Sequence, residues 1–350
     1  MTQHRSILEA FVKLGVFLCD FVDWQKQGVK TEDIHFISLQ EAITLAGHHN
    51  GWFTEENIVF ALKNWALLLT EEKLNQWLCT YALQNNKPKT VAIIMAGNIP
   101  LVGFHDFLAT LITGNSVLVK LSSNDRVLLP VVAKILLKLG PCLIGKITFT
   151  EEKLENFDAV IATGSNNTAR YFEYYFGKYP HIIRKNRNSV ALLTGNESAE
   201  QLIALGEDIF RYYGLGCRSV SKLFVPYGYD FDVFFKAMYT YGPIINQTKY
   251  ANNYDYNKAV YLMSGFKILD NGFLMLKEDN SYSSPIASLF YERYTAVDEV
   301  KEKLKYDADY VQCIVSYGVF EDEIPFGETQ KPALADYADQ IDTVEFLLKT

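Results

Sequence analysis

The absences in this sequence narrow its function first. Lysine and arginine form no extended basic stretch, and the formal net charge is −8. No basic stripe is therefore available for sequence-independent binding to nucleic acid. Only five cysteines occur, Cys19, Cys79, Cys142, Cys217 and Cys313. They are scattered and odd in number, and no CxxC pair or Cys/His cluster has zinc-ligand spacing. They read as reduced thiols without a disulfide framework, which fits a cytoplasmic location. No run of about 18 uninterrupted apolar residues is present, so no transmembrane segment is expected. There is no low-complexity tract and no internal repeat. The opening "MTQHRSILEAFVKLGVFLCDFVDW" is not read as a signal peptide, because Lys13 and Asp20 cut its apolar run and no small-residue cleavage site follows.

What is present reads as a folded α/β protein. At 350 residues, 49% hydrophobic and 21% charged, the chain is long enough for two or three cores. Ile7, Leu8, Phe11, Leu14, Leu18 and Phe21 recur at helical spacing, which predicts an N-terminal helix docked on the body. Thr54 and Thr70 each precede two glutamates, an N-cap signal that predicts two helices between about 54 and 85. From Thr90 the grammar changes. "TVAIIMAG", "SVLVKL", "KITFT", "FDAVIATG" and "SVALLTG" are short apolar strands that alternate with helical stretches. That alternation predicts a parallel sheet covered on both faces, with ligands at the carboxyl ends of its strands. After Cys217 the alternation resumes and predicts a second α/β unit. "NQTKYANNYDYNK" (Asn246–Lys258) lacks a period and reads as a long surface loop.

Four strand-end or helix-end positions hold chemistry-bearing residues. Asn98 follows the first strand and Gly97. Its amide is a neutral donor suited to a developing oxyanion, although bonding within its own turn explains the fragment as well. Lys120 ends the next strand, with Ser122 and Ser123 after it. A phosphate or ribose there would answer its charge, and so would solvent. Thr163-Gly164-Ser165 joins a strand to a helix whose first N–H groups attract phosphate; a plain glycine turn with a serine cap fits equally. Cys217 stands between a helix and a strand, beside Gly214, Gly216 and Arg218. The neighbouring cation would favour a thiolate, while an inert buried cysteine is the other account.

Taken together, "GNIPLVGFHDFLATLITGNSVLVKLSSND", "FDAVIATGSNNTARYFEYYF", "RKNRNSVALLTG", "YYGLGCRSVSKLFVP" and "PFGETQKPALADYADQIDTVEFL" resemble, in this order, the LuxC-type acyl-CoA reductases of the aldehyde dehydrogenase superfamily. The resemblance runs from about Trp52 to the C-terminus. It implies an aldehyde-dehydrogenase-like fold of two doubly wound α/β domains with a helical N-terminal segment. The domain boundaries it suggests are 1–196 for the helical segment plus dinucleotide-binding domain, 197–325 for the catalytic domain, and 326–350 for a segment returning to the first domain.

The same resemblance implies the roles of single residues. Cys217 matches the catalytic cysteine. Asn98 matches the asparagine that builds the oxyanion hole with the cysteine N–H. Lys120, with Ser122, matches the site that holds the adenosine ribose or its 2′-phosphate. Thr163, Gly164 and Ser165 match the turn under the cofactor pyrophosphate. Hydrolytic members carry a Glu-Leu-Gly-Gly-Lys segment whose glutamate activates water. The stretch here is "RKNRNSVALL", with Arg184 near that position and no carboxylate from His181 to Val190. The second glutamate, in a Glu-x-Phe-Gly-Pro segment, is replaced by serines in "NSYSSPIASLF".

The expectation is an acyl-CoA reductase that takes a fatty or other acyl-CoA, uses NADPH (or NADH) and releases coenzyme A. A homo-oligomer and an acyl-activating protein partner are expected from the family. Two alternatives stay open at this point: a hydrolytic or semialdehyde-type dehydrogenase with another base, and a non-catalytic dinucleotide-binding subunit. Gln330 and Asp342 are expected to close the chain back on the first domain.

Overall fold

Threonine before paired glutamates starts a helix twice, as its chemistry requires. In the computed structural model, which describes residues 3–350, the Thr54 hydroxyl accepts the Asn57 N–H and the Thr70 hydroxyl the Lys73 N–H. Each satisfies an orphan donor of a helix start. The first compact unit, Met1–Lys185 with Ala333–Thr350, opens with four helices: α1 (Gln3–Gln27), α2 (Ile34–His49), α3 (Glu55–Leu68) and α4 (Glu71–Leu78). Ile7, Phe11, Leu14, Leu18 and Phe21 of α1 are all buried. Each contributes roughly 1.5–3 kcal/mol by leaving water.

Strands and helices then alternate: β1 (Thr90–Ile94), α5 (Phe104–Ile112), β2 (Ser116–Lys120), α6 (Leu128–Leu139), β3 (Ile147–Phe149), β4 (Ala159–Thr163), α7 (Asn166–Phe176) and β5 (His181–Arg184). The five strands form one parallel sheet in the order β3-β2-β1-β4-β5. The apolar runs of β1 and β4 are buried because helices cover both faces of such a sheet. β5 was not legible in the sequence: "HIIR" is short and lies at the sheet edge, where one strand neighbour suffices.

The second unit, Asn186–Pro332, contains β6 (Asn188–Leu192), α8 (Ala199–Phe210), β7 (Val220–Pro226), α9 (Phe231–Met238), α10 (Thr248–Met263), β8 (Ile268–Asp270), β9 (Met275–Glu278), β10 (Ser288–Tyr294), α11 (Val297–Tyr306) and β11 (Val311–Val315). Its sheet runs β11-β6-β7-β10-β9-β8 and is parallel except for the antiparallel edge pair β8–β9. The units divide at Lys185/Asn186 because β6 pairs with β7 and β11. The sequence had suggested a division at 196/197, which would have left "SVALL" in the first sheet. The last helix, α12 (Thr343–Lys349), lies in the first unit.

The expected loop at Asn246–Lys258 is instead mostly helix, α10. Its inward face is Tyr250, Tyr254, Asn257 and Tyr261, each 9% exposed or less. The spacing is helical, but the residues are tyrosine and asparagine, so no apolar period shows. Two of their polar ends bond inside the unit at these distances: Tyr250 donates to the Phe273 carbonyl at 3.0 Å and Asn257 to the Ile286 carbonyl at 2.9 Å. Among the described residues, no helix is long and apolar enough to cross a membrane.

Candidate active site

Three turns follow the carboxyl ends of β2, β1 and β4, the middle strands of the first sheet. β1 lies between the others, with Ile94 opposite Lys120 on one side and Ala162 on the other. The chain order reverses between β1 and β4, and parallel sheets bind ligands at such a switch point.

Asn98 stands exposed in the turn after β1. Gly97 packs so closely on the β2 turn that a Cβ would lie 2.6 Å from Ser122 Oγ. Any side chain there would push the two turns apart. Beyond Asn98 the turn is pinned by Asp125, whose carboxylate accepts the Leu101 N–H at 3.2 Å. Leu101 is itself in the left-handed region, with φ 56°. Burial pushes the Asp125 carboxyl up to about 6, against the Leu101 and Leu128 N–H groups that favour its charge.

Lys120 donates from Nζ to the Glu152 carbonyl at 2.9 Å. Ser122 Oγ accepts the Asn124 N–H at 3.2 Å. Thr163 ends β4. Gly164 donates its N–H to the Arg184 carbonyl at 3.3 Å, and Ser165 caps α7 by accepting the Thr168 N–H at 3.2 Å. Asn98, Lys120, Ser122 and Thr163–Ser165 thus gather along one edge of one sheet. Arg184 goes elsewhere. It is buried in an ion pair with Asp106 of α5 and donates to Thr343 Oγ1 at 3.0 Å. Its role is internal to the first unit.

Cys217 belongs to the second unit. After α8 the residues Tyr212, Tyr213 and Gly214 have φ of 53°, 59° and 73°. Left-handed backbone at two tyrosines costs of order 1–3 kcal/mol each; burial of the Tyr212 side chain helps to hold it. A turn follows in which Ser219 N–H donates to the Gly216 carbonyl at 3.0 Å. Cys217 and Arg218 occupy its two central positions, and the Cys217 residue is exposed. The account of Cys217 as a buried filler is thereby excluded.

Three partners from two distant segments grip this turn. Ser189 of β6 donates from Oγ to the Cys217 carbonyl at 2.9 Å. Arg218 donates from Nε to the Thr329 carbonyl at 2.7 Å. Gln330 donates from Nε2 to Ser219 Oγ at 3.2 Å. Gln330 therefore lies in the second unit, whereas the sequence had suggested that it closes the chain on the first domain. Asp342 does lie in the first unit: it caps α12 and accepts from the Tyr81 hydroxyl at 2.6 Å. Asp208 of α8 anchors the 327–330 segment in turn. It accepts the Gly327 N–H at 2.6 Å, the Thr329 N–H at 2.9 Å and the Thr329 hydroxyl at 2.8 Å. Burial pushes its carboxyl up to about 6 against those three donors.

Behind the turn, Ser221 Oγ donates to the Tyr282 carbonyl at 2.7 Å, and fully buried Lys222 donates to the Asn280 carbonyl at 2.9 Å and to Glu292 at 2.6 Å. β7 thereby holds the serine-containing segment after β9. Ser189, Asp208, Thr329 and Lys222 were missed in the sequence. The one signal for them was a lysine inside the apolar run "SKLFVP".

Comparison with known proteins adds three findings. The family model "Acyl-CoA reductase (LuxC)" matches residues 52–233. No curated protein matches the chain. Among solved structures, aldehyde dehydrogenase 21 from Physcomitrella patens, in complex with the reaction product succinate, is similar with TM-score 0.67 at 12% identity. That match covers all of this chain and 84% of that one. A putative methylmalonate-semialdehyde dehydrogenase from Sinorhizobium meliloti, complexed with NAD, has TM-score 0.64 at 14% identity, covering 92% of this chain and 74% of that one. An aldehyde dehydrogenase from Bacillus cereus, in its NAD+ complex, has TM-score 0.59 at 14% identity, covering 89% and 70%. At such low identity these likenesses show the fold.

Proposed function

The chain belongs to the acyl-CoA reductase (LuxC) family, and on that premise we propose that it reduces an acyl-CoA to the aldehyde through an acyl group held on Cys217. It is an aldehyde-dehydrogenase-type oxidoreductase; the acyl-CoA substrate, the residue roles and the choice of NADPH over NADH are the proposal. One observation carries it: Asn98, Lys120, Ser122, Thr163, Gly164, Ser165 and Cys217 all lie inside the matched residues 52–233.

The Cys217 thiolate attacks the thioester carbonyl, and coenzyme A leaves as its thiolate, taking a proton from solvent. The acyl group is then a thioester of Cys217. The Cys217 N–H is a backbone donor to the oxyanion at each addition step, and the family's side-chain donor role falls to Asn98 by its match in the sequence. A nicotinamide cofactor, when bound, supplies the hydride that reduces this thioester. Collapse of the resulting thiohemiacetal expels Cys217 and frees the aldehyde. The donor set at the first sheet's edge suits a dinucleotide: the α7 N-terminus for a phosphate, and Lys120 with Ser122 for the ribose end. Water is a poor competitor, because no carboxylate lies between His181 and Val190 to act as its base. A thiol needs no such help, so coenzyme A exchanges with the acyl group where water does not.

The test runs the reaction both ways. Acyl-CoA with NADPH, and separately NADH, should give aldehyde, and aldehyde oxidation should require free coenzyme A. Cys217→Ala should reduce either direction by about 10⁴-fold or more. Oxidation of aldehyde to the acid without coenzyme A, or turnover retained in Cys217→Ala, would overturn the reading.

A further inference from the structure

The C-terminal signature "GETQ" has no assigned chemistry, and the fold places it against the Cys217 turn. We propose that Gly327–Gln330 is a clasp that positions Cys217, with Asp208, Thr329 and Gln330 as positioning residues. The inference rests on Cys217 as the nucleophile.

Cys217 sits at the tip of a tight turn, and three left-handed residues lead into it. Across the turn itself the Ser219 N–H donates to the Gly216 carbonyl. A four-residue turn with a strained approach and an exposed residue at its tip is not fixed by that local bond alone. External ties provide that constraint. Ser189 fixes the Cys217 carbonyl, and the clasp fixes the next two residues: Thr329 through Arg218, and Gln330 through Ser219.

The clasp itself is built to be immobile. Gly327 has φ 84°, and a Cβ there would meet Ala204 of α8 at 3.1 Å, so only glycine lets the segment lie on the helix. Asp208 then takes three donors on two oxygens, and it is fully buried. Thr329 and Gln330 are buried as well. A buried carboxylate with three donors defines the segment's place more sharply than an apolar contact, because losing any donor leaves a polar atom unpaired. The Thr329 carbonyl holds the side chain of Arg218, the residue next to Cys217 in the chain, in one place.

The test uses the intact protein and reads the thiol directly. Alkylation by iodoacetamide is followed between pH 7 and 10, with the Cys217 peptide identified by mass. In Asp208→Asn the pH midpoint of alkylation should rise by about half a unit, as the Thr329 carbonyl loses its hold on Arg218, and in Gln330→Ala the alkylation rate at fixed pH should change about twofold or more, as Ser219 is released. For reduction of acyl-CoA, kcat should fall about tenfold while KM changes less than about threefold, since misplacing a reacting group costs rate and not binding. Thr329→Val deletes one donor to Asp208 and should show the same shifts at smaller size; with Gln330→Ala it carries the test if Asp208→Asn does not fold. Glu323→Gln is the control. Glu323 accepts the Val319 and Phe320 N–H groups in the same unit without touching the clasp, so it should lower stability and leave the alkylation profile unchanged. Wild-type alkylation and kcat in Gln330→Ala and Thr329→Val overturn the clasp. Turnover retained in Cys217→Ala overturns the nucleophile itself, and the two failures are distinct.

Discussion

The turns after β1, β2 and β4 and the Cys217 turn draw on ties of different reach. In the first set Ser122 bonds to Asn124 and Ser165 to Thr168, two and three positions along the chain, and Asp125 and Lys120 add ties across 24 and 32 positions, to Leu101 and Glu152. The Cys217 turn is held by Ser189 from 28 positions away and by Thr329 and Gln330, each tied from 111 positions away. A turn satisfied by its own neighbours forms wherever its sequence occurs. A turn held from afar forms only once the fold has brought its partners in. The first kind suits a binding edge that must be present early and stay open. The second suits a reacting group whose position must be set by several elements at once.

Four changes would sharpen or break this contrast. The largest concerns the first unit's own distant tie, the buried pair Arg184–Asp106, with side chains 7% and 5% exposed. Arg184→Met should cost about 3–5 kcal/mol, because it leaves a buried carboxylate without its cation. The melting midpoint should fall by about 10 °C. A drop of only a degree or two would mean that this unit does not depend on long-range polar ties.

Asn98→Ala comes next. It should lower kcat for acyl-CoA reduction by about 100- to 1000-fold, with nicotinamide affinity nearly unchanged in a fluorescence titration. Loss of folding instead of rate would make Asn98 a turn residue like its neighbours.

Asp125 gives a smaller, pH-dependent effect. Its pKa is raised to about 6 in the folded protein, above the unfolded value of about 3.9. The folded state therefore binds more protons between those values. Asp125 stabilises the protein below about pH 4, and this contribution is lost as pH rises through about 6. In Asp125→Asn, which keeps an acceptor for Leu101, that loss should vanish from thermal midpoints measured between pH 4 and 7. An unchanged slope would mean that another carboxyl sets it.

Ser165 gives the smallest effect. As a helix cap, Ser165→Ala should cost about 1 kcal/mol and Ser165→Gly only a few tenths. If both variants lose nicotinamide affinity equally while differing in stability, the hydroxyl serves the ligand as well as the helix.

Local signals in the sequence carried far. Thr54, Thr70 and Ser198 start helices as their neighbours predict, with Ser198 in a full capping box with Gln201. The apolar runs of β1, β2 and β4 became the sheet's middle strands. Reading failed where the packing face was not apolar or the partner was not near. α10 buries tyrosines and an asparagine, so its period is invisible to a count of apolar residues. β6 looks like any other buried strand, and nothing in "SVALL" says which sheet it joins. Gln330 lies in the second unit and not the first, since its partner Ser219 lies 111 positions away.

By itself the sequence determined the helix starts, the alternation of strand and helix, and the set of chemistry-bearing residues after the strands. These depend on dihedral preference, capping and apolar period, which act over a few residues. Only the tertiary structure decided that Arg184 is a buried internal ion pair, that Cys217 is presented on an exposed turn, and that Asp208 and "GETQ" hold that turn. Those outcomes depend on which buried polar groups find one another, and a buried polar group is satisfied by whatever the fold brings within about 3 Å, however far along the chain it began.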